Sequence, residues 1–360
     1  MKKVLLIGAF ERDNFGDALM YLITEKVFTN LGYEVVPASI MLSSNVQLEN
    51  RQIYPYDYLL HSELWDIIWV VGGELGGVDI AIALSISDPS GSSNRRLYQI
   101  PRDNTLLAYI PNLINYQLNK DAKLVINSAG LSSPAYSGND TLLNQLSTIY
   151  NKAAFVSVRD KNSYDTVSSP HKSLSPDLVH ALPRVFDLQR TCSYYPYISF
   201  QVGADICNTF GVENTAIELL KVAKEYSYRV LLTPSGLANC HDSLDQYNRI
   251  LEILTLGGVY TKIVENRDPF VIVQSIADSS LWIGSSLHGR IIASTFNVPR
   301  VSLKSTKVSN YVSLWDSAYP CEVGLSSILD ATDIAFKVNA EPVDLSTIAY
   351  DNILNIIRIL

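Results

Sequence analysis

Six short stretches hold the residues best suited to chemistry. They are Asn14-Phe15-Gly16-Asp17, Gly72-Gly73-Glu74, Arg159-Asp160, Pro176-Asp177, His241-Asp242 and Gly284-Ser285-Ser286-Leu287-His288-Gly289-Arg290. The last is the most informative, because only 5 histidines occur in 360 residues. Ser285 or Ser286 can cap a helix that begins here, which puts His288 in its first turn. The amides at a helix start lack intrahelical partners and, with the helix dipole, favour an anion such as phosphate. An imidazole held there can transfer a proton near neutral pH. Arg290 lies two residues on, turned about 200° from His288, so it need not share the site. A surface carboxylate is its expected partner.

Each stretch also has a purely structural reading. Asn14 to Asp17 can be a turn and a helix cap. The spacing is not GxGxxG, so the dinucleotide fingerprint is absent. Gly72 and Gly73 can serve a tight exit from a strand, and Glu74 can be a solvated loop carboxylate. Arg159 and Asp160 can form a surface pair, and Asp177 after proline suits a turn. His241-Asp242 can open a helix. His288 itself can be a core histidine satisfied by hydrogen bonds.

The elements that must position these residues alternate along the chain. "KVLLIGAF" reads as a buried strand because it is apolar almost throughout. A helix near 17–31 follows, with Ala18, Tyr21, Leu22, Val27 and Phe28 spaced for one buried face and Gly32 ending it. "YEVVPASI", "WDIIWVVGG", "AKLVINSAG" and "AFVSVRD" read as further strands, with a helix near 140–153. "KSLSPDLVHAL" is a shorter strand ending at Pro176-Asp177. The second half repeats the alternation. Strands "YYPYISFQVG", "RVLLTPSG", "YTKIVEN", "SLWIGSS" and "PRVSLK" are separated by helices near 212–226, 242–256 and 268–278 and by the helix carrying His288. Such alternation implies α/β architecture with parallel sheets covered on both faces. Two blocks imply two Rossmann-like domains, 1–190 and 191–343, with the stretch 344–360 returning to the first. In such folds ligands bind at the carboxyl ends of strands, so a cleft between the domains is the expected site. All six stretches follow strand ends.

Bulk properties narrow the function. Hydrophobic residues make up 47% of the chain and charged residues 18%, which suits a packed soluble protein. The net charge of −8 and the absence of a Lys/Arg run argue against nucleic acid as a partner. Cys192, Cys207, Cys240 and Cys321 have neither CxxC nor metal-ligand spacing, which points to free thiols in a reducing compartment and to no metal. The N-terminus begins like a signal peptide, but its short apolar run meets Glu11, Arg12 and Asp13 and reads better as a strand. No stretch approaches the ~20 apolar residues of a membrane span. Asn139-Asp140-Thr141 matches a glycosylation acceptor by chance.

Taken in order, "NFGD", "VVGGEL", "VSVRD", "SPDLVHAL" and "SSLHGRIIASTFNVP" resemble the polysaccharide pyruvyl transferase family over most of the chain. The resemblance implies a glycosyltransferase-B-like fold. It implies transfer of a pyruvyl group from phosphoenolpyruvate to a sugar as a cyclic ketal. The implied acceptor is a cell-surface glycan or its lipid-linked precursor, met in the cytoplasm or at the inner face of the membrane. No metal or nucleotide cofactor is implied. His288 matches the family's motif histidine, a general acid/base. Arg159 matches an arginine for the donor's phosphate or carboxylate. Asn14, Gly16 and Asp17 match a cleft-lining loop, joined by Gly72, Gly73, Glu74 and Asp177. Ser285, Ser286 and Gly289 fall on the donor-binding motif, and Lys307 resembles a lysine that follows it. One departure stands out. Ser286 occupies a position where some members carry arginine, which removes an anion clamp that Lys304, Lys307 or helix amides must replace. Two other readings fit the same architecture: a glycosyltransferase using a nucleotide sugar, and a non-catalytic glycan- or anion-binding protein. Segment 76–105 is the expected acceptor-side loop.

Overall fold

The run Lys3–Ile7 forms β1, and Val4, Leu5, Leu6 and Ile7 are wholly buried. Burial on both faces is what a central parallel strand requires. The computed structural model describes residues 1–88, 107–131, 140–191, 193–341 and 343–360. They form two compact units, one of residues 1–186 with 346–360 and one of residues 187–345.

Among the described residues, the first unit holds an eight-stranded sheet in the order β3-β4-β2-β1-β5-β6-β7-β8. Its strands after β1 are β2 (Glu34–Ser39), β3 (Ser43–Asn45), β4 (Arg51–Pro55), β5 (Ile67–Val70), β6 (Lys123–Ala129), β7 (Phe155–Val158) and β8 (Lys172–Leu174). All neighbours pair in parallel except β3 with β4. That antiparallel pair departs from the all-parallel expectation; the polar "SSN" of β3 has no apolar periodicity to announce it. The helix after β1 spans Phe15–Asn30 and is followed by Gly32 with φ +82°. Its first two turns, Phe15 to Tyr21, are buried all round rather than on one face. The helix Leu345–Ile359 packs on this unit through buried Ala349, Ile353 and Ile356. Asn352 donates to Asn127 Oδ1 at 3.3 Å and to Ser157 Oγ at 3.1 Å.

Among the described residues, the second unit holds a five-stranded parallel sheet in the order β11-β10-β9-β12-β13. The strands are β9 (Tyr197–Gln201), β10 (Arg229–Leu232), β11 (Thr261–Ile263), β12 (Leu281–Gly284) and β13 (Arg300–Ser302). Each sheet reverses its winding direction once beside its first strand, between β1 and β5 and between β9 and β12. Such reversals open a crevice at the carboxyl ends of the strands. Of segment 76–105, residues 80–87 form a helix and 89–105 lie outside the described residues. Asn139 of the glycosylation match and Cys192 also lie outside them.

Candidate functional site

In the first unit, the reversal is flanked by the Asn14 loop and by Gly72 to Glu74. Asn14 caps the first helix by accepting from Gly16 N at 3.1 Å. Asp17, one turn in, accepts from Arg12 Nη2 at 3.3 Å. Sequence reasoning does not single out Arg12, because nothing in its neighbourhood marks it. Burial opposes the Arg12 charge, but Tyr109 and then Asp17 and Glu11 outweigh it and raise its pKa. Gly72 and Gly73 sit at φ +118° and +88°, a region that side chains avoid. A Cβ on Gly72 would meet Asn127 O at 2.5 Å, and one on Gly73 would stand 3.1 Å from Asp17 Oδ1. These glycines therefore bring the β5 exit against β6 and against Asp17.

Arg159 is enclosed rather than displayed. It is 2% exposed, and its Nη1 donates to Asp177 Oδ2 at 2.6 Å while Nη2 donates to Glu74 Oε2 at 2.7 Å. Burial opposes its charge, but Asp177 and then Glu74 outweigh that and hold its pKa above the usual arginine value. This corrects the surface-pair reading. Arg159 does not pair with Asp160, which instead caps the helix Lys161–Thr166 through Ser163. Glu74 is no solvated loop carboxylate, and Asp177, fully buried, also accepts from Val179 N at 3.0 Å. Glu74 is the outer end of the Asp177–Arg159–Glu74 chain, with 30% of its side chain exposed.

In the second unit, Ser286 caps the helix Leu287–Thr295 by accepting from Gly289 N at 3.2 Å. His288 stands in its first turn, half-buried, at the carboxyl end of β12. A Cβ on Gly289 would meet the Trp282 ring at 2.7 Å, so glycine here lets the helix start sit on the indole. Lys307 is exposed near the start of the helix Thr306–Trp315, beyond β13. Arg290 is not on the surface. It is fully buried and donates to Asp316 Oδ2 at 2.6 Å, to Ser302 Oγ and to the carbonyls of Asp316, Tyr319 and Pro320. It clamps residues 316–320, and burial lowers its pKa against the pull of Asp316.

The residues before His288 are braced from β9. Gln201 Oε1 accepts from Ser285 N at 3.0 Å and from Ser286 N at 2.7 Å. Ser285 Oγ accepts from Gly203 N at 3.1 Å. The amides of Ser285 and Ser286, expected to face a donor, are thus engaged within the protein. Sequence reasoning misses Gln201, although a glutamine ending the apolar run Tyr197–Phe200 is a readable signal.

The family model for polysaccharide pyruvyl transferase matches residues 14–305, a range that holds all five motifs. The chain belongs to the polysaccharide pyruvyl transferase family. No curated protein matches the chain. Among solved structures, a putative UDP-N-acetylglucosamine 2-epimerase from Listeria monocytogenes is similar at 13% identity and TM-score 0.61, over 98% of this chain and 94% of that one. The S. aureus MnaA–UDP complex is similar at 14% identity and TM-score 0.59, over 99% and 96%. The UDP-GlcNAc 2-epimerase of Neisseria meningitidis bound to UDP-GlcNAc has 13% identity and TM-score 0.55, over 99% and 100%. These likenesses establish a glycosyltransferase-B-like α/β fold for this family member. None of its described helices is long and apolar enough to cross a membrane.

Proposed function

We propose that the protein transfers a pyruvyl group from phosphoenolpyruvate to a sugar of a cell-surface polysaccharide or its lipid-linked precursor. The observation that carries this reading is the family's motif histidine, His288, in the first turn of a helix at a strand end. With the Ser285, Ser286 and Gly289 amides engaged within the protein, Lys304 and Lys307 supply the positive charge nearby along the chain that suits an anionic donor. The chemistry runs in balanced steps. A proton adds to the methylene carbon of the donor, which makes the adjacent carbon electrophilic. A sugar hydroxyl forms a bond to that carbon and gives up its proton to a base. Phosphate leaves with the electron pair of its C–O bond. A second hydroxyl adds, loses its proton and closes the ketal. His288 carries one of these transfers. Arg159, held by two carboxylates, contributes by fixing Glu74.

Two measurements test this. Phosphoenolpyruvate is expected to raise the melting temperature, while UDP and UDP-GlcNAc leave it unchanged. Stabilisation by the nucleotides alone would replace the reading with nucleotide-sugar transfer, which the loss of an arginine at Ser286 favours. With a panel of glycosides as acceptors, His288→Asn is expected to lower phosphate release about 10²–10⁴-fold. Wild-type turnover in that variant at saturating donor removes His288 from the mechanism.

A further inference from the structure

The groups that hold Ser285 and Ser286 in place form a directed hydrogen-bond chain. Gln201 uses its carbonyl oxygen toward the two loop amides, so its Nε2 must point the other way. It donates to Asp242 Oδ1 at 2.8 Å. The other oxygen of Asp242 accepts from Ser235 N at 2.6 Å and from Tyr247 Oη at 3.3 Å. Tyr247 Oη in turn accepts from Val202 N at 2.9 Å. Gln201 Nε2 and Ser235 N therefore point inward at Asp242, while the Tyr247 hydroxyl lies 3.3 Å from both Asp242 Oδ2 and the Val202 carbonyl. Gln201 is 3% exposed, and Tyr247 is fully buried. Gly284 completes the contact, because a Cβ there would stand 3.1 Å from Gln201 Oε1.

A glutamine amide has two ends of nearly equal shape and opposite polarity. Only one orientation puts an acceptor on the Ser285 and Ser286 amides. In the other, Nε2 would face two N–H groups in a buried place, and unpaired buried donors are costly. A carboxylate, which only accepts, selects the correct orientation. We infer that Asp242 and Gln201 act as a positioning pair for the His288 loop, with Asp242 fixing which end of the Gln201 amide meets Ser285 and Ser286. Neither residue needs to touch substrate. The pair acts by placing the start of the His288 helix, and small displacements of a catalytic group are expensive in rate.

The inference predicts a reciprocal rescue. Asp242→Asn puts an amide nitrogen against either Gln201 Nε2 or Ser235 N, so one donor faces another in each rotamer. Gln201→Glu puts two carboxylates against each other. The double variant Gln201→Glu/Asp242→Asn reverses the bond between the two positions. The introduced glutamate still offers an oxygen to the loop amides. The introduced asparagine donates its side-chain N–H to that glutamate, and its carbonyl oxygen accepts from Ser235 and Tyr247. Each single variant should do harm and the pair should do little.

The readout is the full chain carrying histidine labelled with 13C at Cε1, whose His288 signal is identified by its loss in His288→Gln. Both single variants are expected to move that signal, and the double variant to return it to within the wild-type linewidth. Turnover of phosphoenolpyruvate is expected to fall about 10-fold or more in each single variant and to recover to within about 3-fold in the double. The turnover arm rests on the pyruvyl-transfer reading, whereas the resonance arm does not. If wild-type protein neither binds nor turns over phosphoenolpyruvate, that reading fails and the resonances alone decide the positioning role. A double variant no better than the worse single, or an unmoved His288 signal in Asp242→Asn, overturns the inference.

Should a single variant fail to fold, the wild-type protein supplies its own test through the side-chain amide signals of Gln201. They are expected to shift with the Asp242 carboxyl, which burial pushes up to about 6 despite the bonds from Ser235, Gln201 and Tyr247. Cys207, raised by burial to about 11, and Tyr247, raised well above the usual tyrosine value, stay neutral over that range. His241 precedes Asp242, with its ring Nδ1 on the Asn239 carbonyl at 3.0 Å, so the titration is run in His241→Gln as well. A Gln201 signal that does not move between about pH 5 and 7 in either protein rejects the coupling.

Discussion

Asp242 costs the folded chain stability at neutral pH. Burial raises its carboxyl to about 6, from an ordinary value of 3.8. The folded state therefore binds more protons than the unfolded state between these two values. Stability from this group then falls as pH rises through that window and is lowest above it. The full effect is about 3 kcal/mol at most. Relative to Asp242→Asn, wild-type protein is expected to gain stability as pH drops from about 7 to 4, measured by urea unfolding. A gap that stays constant over this range would show that the carboxyl does not titrate there. A second residue, Gly130, guards the other unit's ion chain. A Cβ there would stand 2.7 Å from Glu74 Oε2 and 2.9 Å from Arg159 Nε. Gly130→Ala is expected to break the Arg159–Glu74 bond and to destabilise the first unit by about 1–3 kcal/mol, since one partner is left buried. Denaturation midpoints check it.

At the scale of elements, the start of the His288 helix depends on contact with β12. Gly289→Ala gains helix propensity of up to about 1 kcal/mol but drives its methyl into Trp282. Overpacking of this kind costs about 1–3 kcal/mol, so a net loss of stability is expected. Gly324→Ala is the control, because nothing lies within 4 Å of its Cβ position and its φ is ordinary. Equal midpoints for the two variants would show that the indole yields. The strands here were legible because both sheets bury them on two faces, leaving apolar runs such as Val4–Ile7 and Leu281–Ile283. The helix starts were legible through their caps, Asn14 and Ser286. What could not be read were partnerships across distance. Arg159 finds Glu74 85 residues away, and Arg290 finds Asp316 26 residues away. The adjacent Asp160 offers Arg159 a misleading local partner, and nothing beside Arg290 points to Asp316, so local sequence does not show which distant carboxylate each arginine meets. The Gln201 brace across 84 residues had the same problem. The β3–β4 pair and the helix Ile328–Lys337 also went unread.

For the molecule as a whole, the first unit is completed by residues 346–360, far along the chain from the rest of it. Ile353 is fully buried there, so Ile353→Ala is expected to cost about 2–5 kcal/mol. The loss should fall on the first unit alone. Hydrogen exchange is expected to rise in β6 and β7 while β9 and β12 stay protected. Equal loss of protection in both units would mean that they unfold as one.

The return of residues 346–360 to the first unit also sets an order of assembly on the ribosome. The second unit is one unbroken stretch, 187–345, and has all its parts once that stretch emerges. The first unit emerges earlier but lacks the helix Leu345–Ile359 until synthesis has passed the whole of the second. At roughly 5–20 residues per second, the face bearing Asn127 and Ser157 waits about 10–40 s for Asn352. The later unit of this nascent chain is thus complete before the earlier one.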